Sequence, residues 1–389
     1  MDKPPFVLER NVDTFDCIDP YNPPNVVRGY INRSGNSTYG ALWITHVNGK
    51  ECPQMIWSTP KMHYPFGDDG FYRVDKSAQA EVYEKYDGTN ILAFLYKDAD
   101  GNSFVSYKTR LRPFLGESKF GDFKRLWDEI LDMYKVREAI PSAIKSERMN
   151  LSFELYGKRN KILIDYDVPL DYRLLFGITW DGKVIPPTEI ETDRFPKATL
   201  FDSFPCEHFE EDYKRVREFL NKNLIVVKVE VDGEEKVESM SGMEGAVLYV
   251  VKDGAVQYKA KPDAVQDIHW AASKGIPYHS IYTTIVNSYE ETDEPTYDLI
   301  RSLLLEEFDE SQIERRRGTI YKMLDSIKFE KKLKAELREE YLRMGFDIKS
   351  DKVTCMRHFG KLYYKRLAGK IYSYLMDEFG GRTDAQKSG

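Results

Sequence analysis

The chain has 389 residues, 41% of them hydrophobic and 31% charged, with a formal net charge of −7. That length and apolar content provide for two domains, or three, with proper cores and exclude a disordered chain. The acidic balance excludes a general attraction to nucleic acid or to an anionic membrane, so any such affinity must come from a local cluster of Lys and Arg.

In chain order, the N-terminal "MDKPPFVLER" has no apolar stretch of the signal-peptide kind, and no later run approaches a membrane span. The expectation is a cytosolic protein. Cys17, Cys52, Cys206 and Cys355 are widely scattered, without zinc or disulfide spacing, and read as reduced, mostly buried thiols. Ile91–Tyr96 and Ser103–Arg110 flank "DADGN" and predict a hairpin. The stretch Asp122–Ile140 predicts a helix with Leu126, Ile130, Met133 and Tyr134 on one face. Leu224–Val231, closed by Asp232-Gly233, predicts a strand, and Gly245–Lys261 predicts two strands about a Lys-Asp-Gly turn.

After Pro262 strand signals fade and helical spacing takes over. Asp293 reads as an N-cap with Pro295 in the first turn, before Leu299, Ile300, Leu303 and Leu304. Ile320, Met323, Leu324 and Ile327 mark a second helix, and Leu367, Ile371, Tyr374 and Leu375 a third. The predicted organisation is an α+β domain of antiparallel sheets over residues 1–264 and an all-α domain over 265–389, with a disordered "KSG" tail.

One stretch concentrates candidate chemistry. "EKYDGTN" sets Lys85 beside Asp87 and Gly88 where a strand begins, and four pieces follow it in order. They are "SYKTRLR" (Ser106–Arg112), "SFELYG" (Ser152–Gly157), "EGAV" (Glu244–Val247) and "YKAK" (Tyr258–Lys261). Each alone reads as a charged turn or an ordinary strand. Lys259 and Lys261 stand two apart on a predicted strand, so their side chains share a face and can reach one ligand. Cys206-Glu207-His208 offers only two soft ligands and no second pair to complete a zinc site. The run Arg315-Arg316-Arg317, Lys322, Lys328, Lys331, Lys332, Lys334 and Arg338 is interspersed with Glu330, Glu336, Glu339 and Glu340. It reads first as a solvated helix face, with contacts to a phosphate backbone as the alternative.

The ordered set resembles the covalent nucleotidyltransferases, the superfamily of ATP-dependent RNA ligases, DNA ligases and capping enzymes. "EKYDGTN", "LSFELYGKRNKILIDY" (Leu151–Tyr166) and the short step from Glu244 to Lys259 are most similar to the phage tRNA-repair type of RNA ligase; "VVRGY" and "TPKMHYPF" fit upstream. The resemblance spans residues 25–262 and leaves the helical tail untouched. It implies a nucleotidyltransferase fold and an enzyme that seals RNA 5′-phosphate and 3′-hydroxyl ends using ATP and Mg2+ or Mn2+, as a monomer or homodimer. Lys85 is the implied nucleophile, forming lysyl-AMP. A free lysine is neutral in about one molecule in a few thousand at pH 7, a penalty of roughly 4–5 kcal/mol. Burial, Lys259, Lys261 and a metal ion are therefore expected to lower its pKa.

The resemblance further implies that Asp87, Glu154 and Glu244 hold the metal, mainly through water, and that Lys259 and Lys261 neutralise departing pyrophosphate. Glu84 is implied to meet the adenine edge, Phe176 to stack on the base, and Asn90 to serve the RNA-dependent steps beside Gly88. Arg28 and Lys61 are implied to hold the β- and γ-phosphates. In "KTRLR" no glycine follows the arginine, so Arg110 is preferred for the nucleotide while Lys108 and Arg112 stay open. DNA ligases and capping enzymes carry a β-barrel after the last lysine motif, where this chain turns helical. They remain the alternative, with a non-catalytic RNA-binding protein of the same fold as the other.

Overall fold

A computed structural model of the chain describes Phe6, residues 11–34, 37–66, 71–116, 123–231, 234–262, Ile276, 278–305, Phe308 and 310–380. Strands β1 (Val12–Ile18), β2 (Val26–Asn32), β3 (Leu42–Val47) and β4 (Lys50–Ile56) form one antiparallel sheet in chain order. Next come β5 (Gln79–Lys85), β6 (Gly88–Lys97), β7 (Ser103–Lys108), the helices α1 (Phe123–Met133) and α2 (Ala139–Glu147), then β8 (Met149–Tyr156), β9 (Asp171–Thr179), β10 (Val184–Ile185) and β11 (Leu200–Pro205). Helix α3 (Phe209–Lys222), β12 (Leu224–Val231), β13 (Glu234–Gly242), β14 (Gly245–Val251) and β15 (Ala255–Ala260) complete the mixed region. Beyond it lie α4 (Tyr278–Ser288), α5 (Tyr297–Leu304), α6 (Glu310–Met344), α7 (Lys352–Leu362) and α8 (Ala368–Phe379).

Two further antiparallel sheets carry the cleft, one ordered β10-β9-β8-β6-β7 and the other β11-β5-β14-β15. The chain passes from the second to the first in two residues, Tyr86 and Asp87, between β5 and β6. Both faces of β6 are covered, which explains its almost unbroken apolar run. Ile91 and Ala93 pack against α1 and α2, through Trp127, Ile130 and Ile144, while Leu92, Phe94 and Tyr96 pack against Leu42 and Ile44 of the first sheet. Helix α3 covers β5 and β14 through Tyr213, Val216 and Leu220.

The α+β class, the antiparallel sheets and the helical C-terminal region agree with the sequence reading. The predicted hairpin is β6–β7, with Lys97 opposite Ser103, and the later strands are β12, β14 and β15. The Asp232-Gly233 turn and the "KSG" tail lie outside the described residues.

Two helix expectations need correction. The helix predicted to Ile140 is two helices, because Lys135 adopts the left-handed conformation (φ 55) and breaks the chain after α1. Its apolar face is Leu126, Trp127, Ile130 and Leu131, whereas Met133 and Tyr134 are exposed. Tyr134 instead donates its hydroxyl to Asp171 (2.8 Å). The N-cap of α5 is Thr296, whose hydroxyl accepts from Leu299 N–H; Asp293 lies upstream and pairs with Arg112 (2.9 Å).

Helix α6 is the spine of the C-terminal region. Ile320, Met323 and Ile327 belong to one core with α4 and α5, and Leu333, Leu337 and Tyr341 to another with α7 and α8. Two seams tie these helices to the sheets. Arg112 donates to the carbonyls of Tyr289 (3.1 Å) and Glu290 (3.0 Å), and Glu378 of α8 receives Arg125 (2.7 Å), Arg159 (3.0 Å) and Arg338 (3.4 Å). No helix among the described residues is long and apolar enough to cross a membrane.

Candidate active site

Strand register assembles the cleft. Lys85, the last residue of β5, stands opposite Gly245 of β14, which brings the preceding Glu244 to its side. On the other sheet Asn90 of β6 stands opposite Glu154 of β8. Gly88 is required by close approach: a Cβ there would sit 2.2 Å from the Leu155 carbonyl oxygen. Lys85, Asp87, Gly88, Asn90, Glu154 and Glu244 all line one cleft of about 390 Å3, and Lys259, Lys261, Lys61, Glu84, Arg110 and Phe176 line it as well.

The Lys85 Nζ donates to Glu244 Oε2 (2.5 Å), and Lys261 Nζ lies 3.1 Å from Glu244 Oε1, so one buried carboxylate bridges two lysines. Burial would raise the Glu244 pKa, but Lys261 and Lys85 hold it down to about 2. Asp87 Oδ2 accepts the N–H groups of Leu163 (2.5 Å) and Ile164 (2.7 Å), and its own N–H donates to Tyr166 Oη (2.8 Å). Burial and then Glu244 push Asp87 up to about 6 despite those donors. The Glu154 carboxylate accepts no hydrogen bond among the described residues, and burial pushes it up to about 8 even with Lys85 nearby.

The expected lowering of the Lys85 pKa is corrected. Burial does work against its ammonium form, but Glu244, Glu154 and Asp87 outweigh it and raise the pKa above the ordinary value. Of the two lysines expected to repel that charge, Lys261 is paired with Glu244, and Lys259 Nζ lies 4.7 Å over the Tyr64 ring.

Among the described residues no three His, Cys, Asp or Glu side chains stand close enough to ligate one ion directly. The donor set nonetheless fits a hydrated cation. Three carboxylates line one cleft, and two of them have raised pKa values, through burial first and then the neighbouring acids.

Around this centre, Asn90 is fixed by three bonds: it accepts from Thr59 Oγ1 (2.7 Å) and donates to Ser152 Oγ (2.8 Å) and the Phe153 carbonyl (3.2 Å). Phe176 is 2% exposed, tilted against Tyr249 in the cleft wall. Burial raises the Glu84 pKa against contacts with Tyr86, Arg173 and Thr199. The three basic candidates of "KTRLR" separate. Lys108 is fully buried, donating to Gly40 O (3.0 Å), Thr109 O (2.8 Å) and Arg110 O (2.8 Å); Arg112 is taken by the α4–α5 connection; Arg110 lines the cleft, 5.6 Å over the Tyr39 ring. Arg28 does not line the cleft. It sits on the outward face of β2, between buried Val27 and Gly29, and pairs with Asp16 at 2.6 Å.

Sequence reading missed the helical contribution. Ser280, Thr283, Thr284 and Asn287 of α4, with Glu290 beyond it, close the cleft from the C-terminal side. The signal was present as polar residues spaced i, i+3, i+4 and i+7, opposite the apolar Ile281 and Ile285. Burial pushes Glu290 up to about 7 against Arg110, and it accepts a hydrogen bond from Thr89.

No family model matches the chain, and no curated protein matches it. Among solved structures it is similar to an archaeal ATP-dependent RNA ligase in two forms. The first has 15% identity over 93% of this chain and 92% of that one, with a TM-score of 0.45; the second has 14% identity over the same shares, with a TM-score of 0.43. It is also similar to a Naegleria gruberi RNA ligase mutant with ATP and Mn, at 16% identity over 48% of this chain and 50% of that one, TM-score 0.33.

Proposed function

We propose that the chain is an ATP-dependent RNA ligase of the covalent nucleotidyltransferase type, joining a 5′-phosphate to a 3′-hydroxyl through lysyl-AMP and adenylated RNA. One observation carries this reading: a lysine amine in a cleft where three carboxylates and two further lysines converge from two sheets. A solvated charged turn, the ordinary meaning of Lys-x-Asp-Gly, would not collect them.

In the first step the Lys85 Nζ, having given up a proton to solvent, attacks the α-phosphorus of ATP. A P–N bond forms as the bond to pyrophosphate breaks. Lys259, Lys261 and Lys61 neutralise the leaving pyrophosphate, and the Glu244 bridge keeps Lys85 and Lys261 at a fixed spacing. Asp87, Glu154 and Glu244 would hold a divalent ion, mainly through water, and its positive charge would offset the hold of these acids on the lysine proton. Phe176 meets the base with Glu84 at its edge, and Arg110 takes the ribose or a phosphate. An oxygen of the RNA 5′-phosphate then attacks the adenylate phosphorus and releases the lysine. Finally the RNA 3′-hydroxyl attacks that 5′-phosphate and expels AMP. In this reading residues 1–264 form the adenylyltransferase domain and 265–389 the helical domain, in a cytoplasmic RNA-sealing protein.

Incubation with α-32P-ATP and Mg2+ or Mn2+ should leave label on the protein that survives denaturation and alkali but is released by acid, as a phosphoramidate requires, and Lys85→Ala should abolish it. Label on Lys85→Ala would remove the nucleophile assignment. Label from GTP instead of ATP would favour a capping-type enzyme, and sealing of nicked DNA a DNA ligase.

A further inference from the structure

A second groove, of about 500 Å3, runs beside the cleft between α1, the β8–β9 connection and the helices α4, α6 and α8. Ile162, Asn287 and Glu290 line both, so the two spaces adjoin there. Its charge is inverted relative to the chain: seven Lys and Arg line it against four Asp and Glu, on a molecule of net charge −7. Glu378 engages Arg125 and Arg159, Asp165 pairs with Lys161, Glu330 pairs with Lys334 (2.9 Å), and Lys331 Nζ lies 4.3 Å over the Tyr289 ring; the five lysines stand on two walls, Lys158 and Lys161 on one and Lys331, Lys334 and Lys370 on the other.

Helical periodicity sorts the basic run of α6. Lys331 and Lys334, three apart, face the groove, whereas Lys328 and Lys332 do not line it, and Lys332 pairs with Glu336 (3.8 Å). Two tyrosines, Tyr282 and Tyr374, stand among these lysines, with Lys334 Nζ 5.9 Å over the Tyr374 ring. Lysines facing one another across a gap repel, and a chain of phosphates between them relieves that repulsion; partly buried aromatic rings beside them add faces on which bases stack.

We propose that this groove holds the sugar–phosphate backbone of the single-stranded RNA end that enters the cleft, with Lys158, Lys331 and Lys370 on its phosphates and a base on Tyr374. The assignment rests on the RNA-ligase reading above, and it gives the helical region its task. Asn287 and Glu290, shared by both spaces, mark where the strand passes from groove to cleft.

The test uses the full chain, a 5′-phosphorylated single-stranded RNA of roughly ten nucleotides, and two readouts. In the Lys331→Ala/Lys370→Ala variant, ATP labelling, which needs no RNA, should stay within about twofold of wild type. RNA affinity by fluorescence anisotropy should fall about tenfold or more. The slope of log affinity against log salt should become shallower by about 1.4, from about 0.7 per lost phosphate contact on a single strand. Normal labelling with unchanged affinity and slope overturns the groove while sparing the ligase reading; absence of label from wild type overturns the ligase reading itself. Photo-crosslinking of 4-thiouridine RNA to unaltered protein decides the matter even if the variant misfolds. Crosslinks in peptides holding Lys158–Lys161 or Lys370–Tyr374 are expected, and crosslinks confined to other surfaces overturn the proposal.

Discussion

Glu154→Gln separates what the cleft contributes to stability from what it does for chemistry. Glu154 is 8% exposed, its carboxylate accepts no hydrogen bond among the described residues, and burial pushes its pKa up to about 8 from an ordinary 4.5. Between those two values the folded chain keeps a proton that the unfolded chain gives up, so stability falls as pH rises through the window. At about 1.4 kcal/mol per pH unit, this one carboxyl costs on the order of 3–5 kcal/mol by pH 9. Glutamine is neutral throughout and nearly the same size. Glu154→Gln should therefore melt like wild type at pH 4 and several degrees higher at pH 9, in nucleotide-free, metal-free buffer. The same substitution removes charge from the proposed metal site, and lysyl-AMP formation should fall by about a hundredfold or more. A variant that melts lower than wild type by the same amount at both pH values would refute the reasoning, because Glu154 would then be a paired structural acid.

Four further substitutions probe the frame around the cleft. Gly88→Ala places a methyl 2.2 Å from the Leu155 carbonyl oxygen, so β6 and β8 must part; a loss of about 2 kcal/mol or more in denaturant unfolding is expected, and an unchanged midpoint contradicts the register. Arg110→Ala should raise the KM for ATP about tenfold with little change in melting, whereas Arg112→Ala, which unties Asp293 and two carbonyls, should lower melting and leave that KM alone; the opposite pattern exchanges their roles. Lys108→Met strands carbonyls of Gly40, Thr109 and Arg110 in a buried site, at a cost on the order of 3 kcal/mol, measured as a lowered melting temperature without loss of adenylylation per folded molecule.

Much of this arrangement was legible in the sequence because strands declare themselves locally. Alternation and Asp-Gly turns located β6, β7, β14 and β15, and the strand expected to begin after Lys85-Tyr86-Asp87 is β6; that the chain changes sheet there is a fact of the fold. Residues acting across long separations were not legible. Arg28 carried a motif's promise, but strand alternation turned it outward to Asp16, a fact set by which face of β2 meets the core. Ser280, Thr283, Thr284 and Asn287 form a polar helix face that reaches the cleft only through packing against the sheets. The three-arginine grip on Glu378 likewise joins positions far apart in the chain, and its strength comes from burial that no local pattern encodes.

The charge state of Lys85 follows from the same geometry. A nucleophilic amine needs neutrality, yet the carboxylates that surround it hold its proton more firmly than water does. The two properties are compatible because the acids are unequal. Glu244 is committed to two lysines and stays ionised, while Asp87 and Glu154 hold protons weakly enough to lose them to an incoming positive charge near neutral pH. Any cation that enters is drawn to Asp87 and Glu154 and opposes the Lys85 ammonium, so its binding releases protons from both acids and favours release from the amine. Adenylylation should thus rise with metal concentration at a midpoint that falls as pH increases from 6 to 8. A midpoint independent of pH would mean that these carboxyls are already ionised and that the amine is activated by something other than their neutralisation.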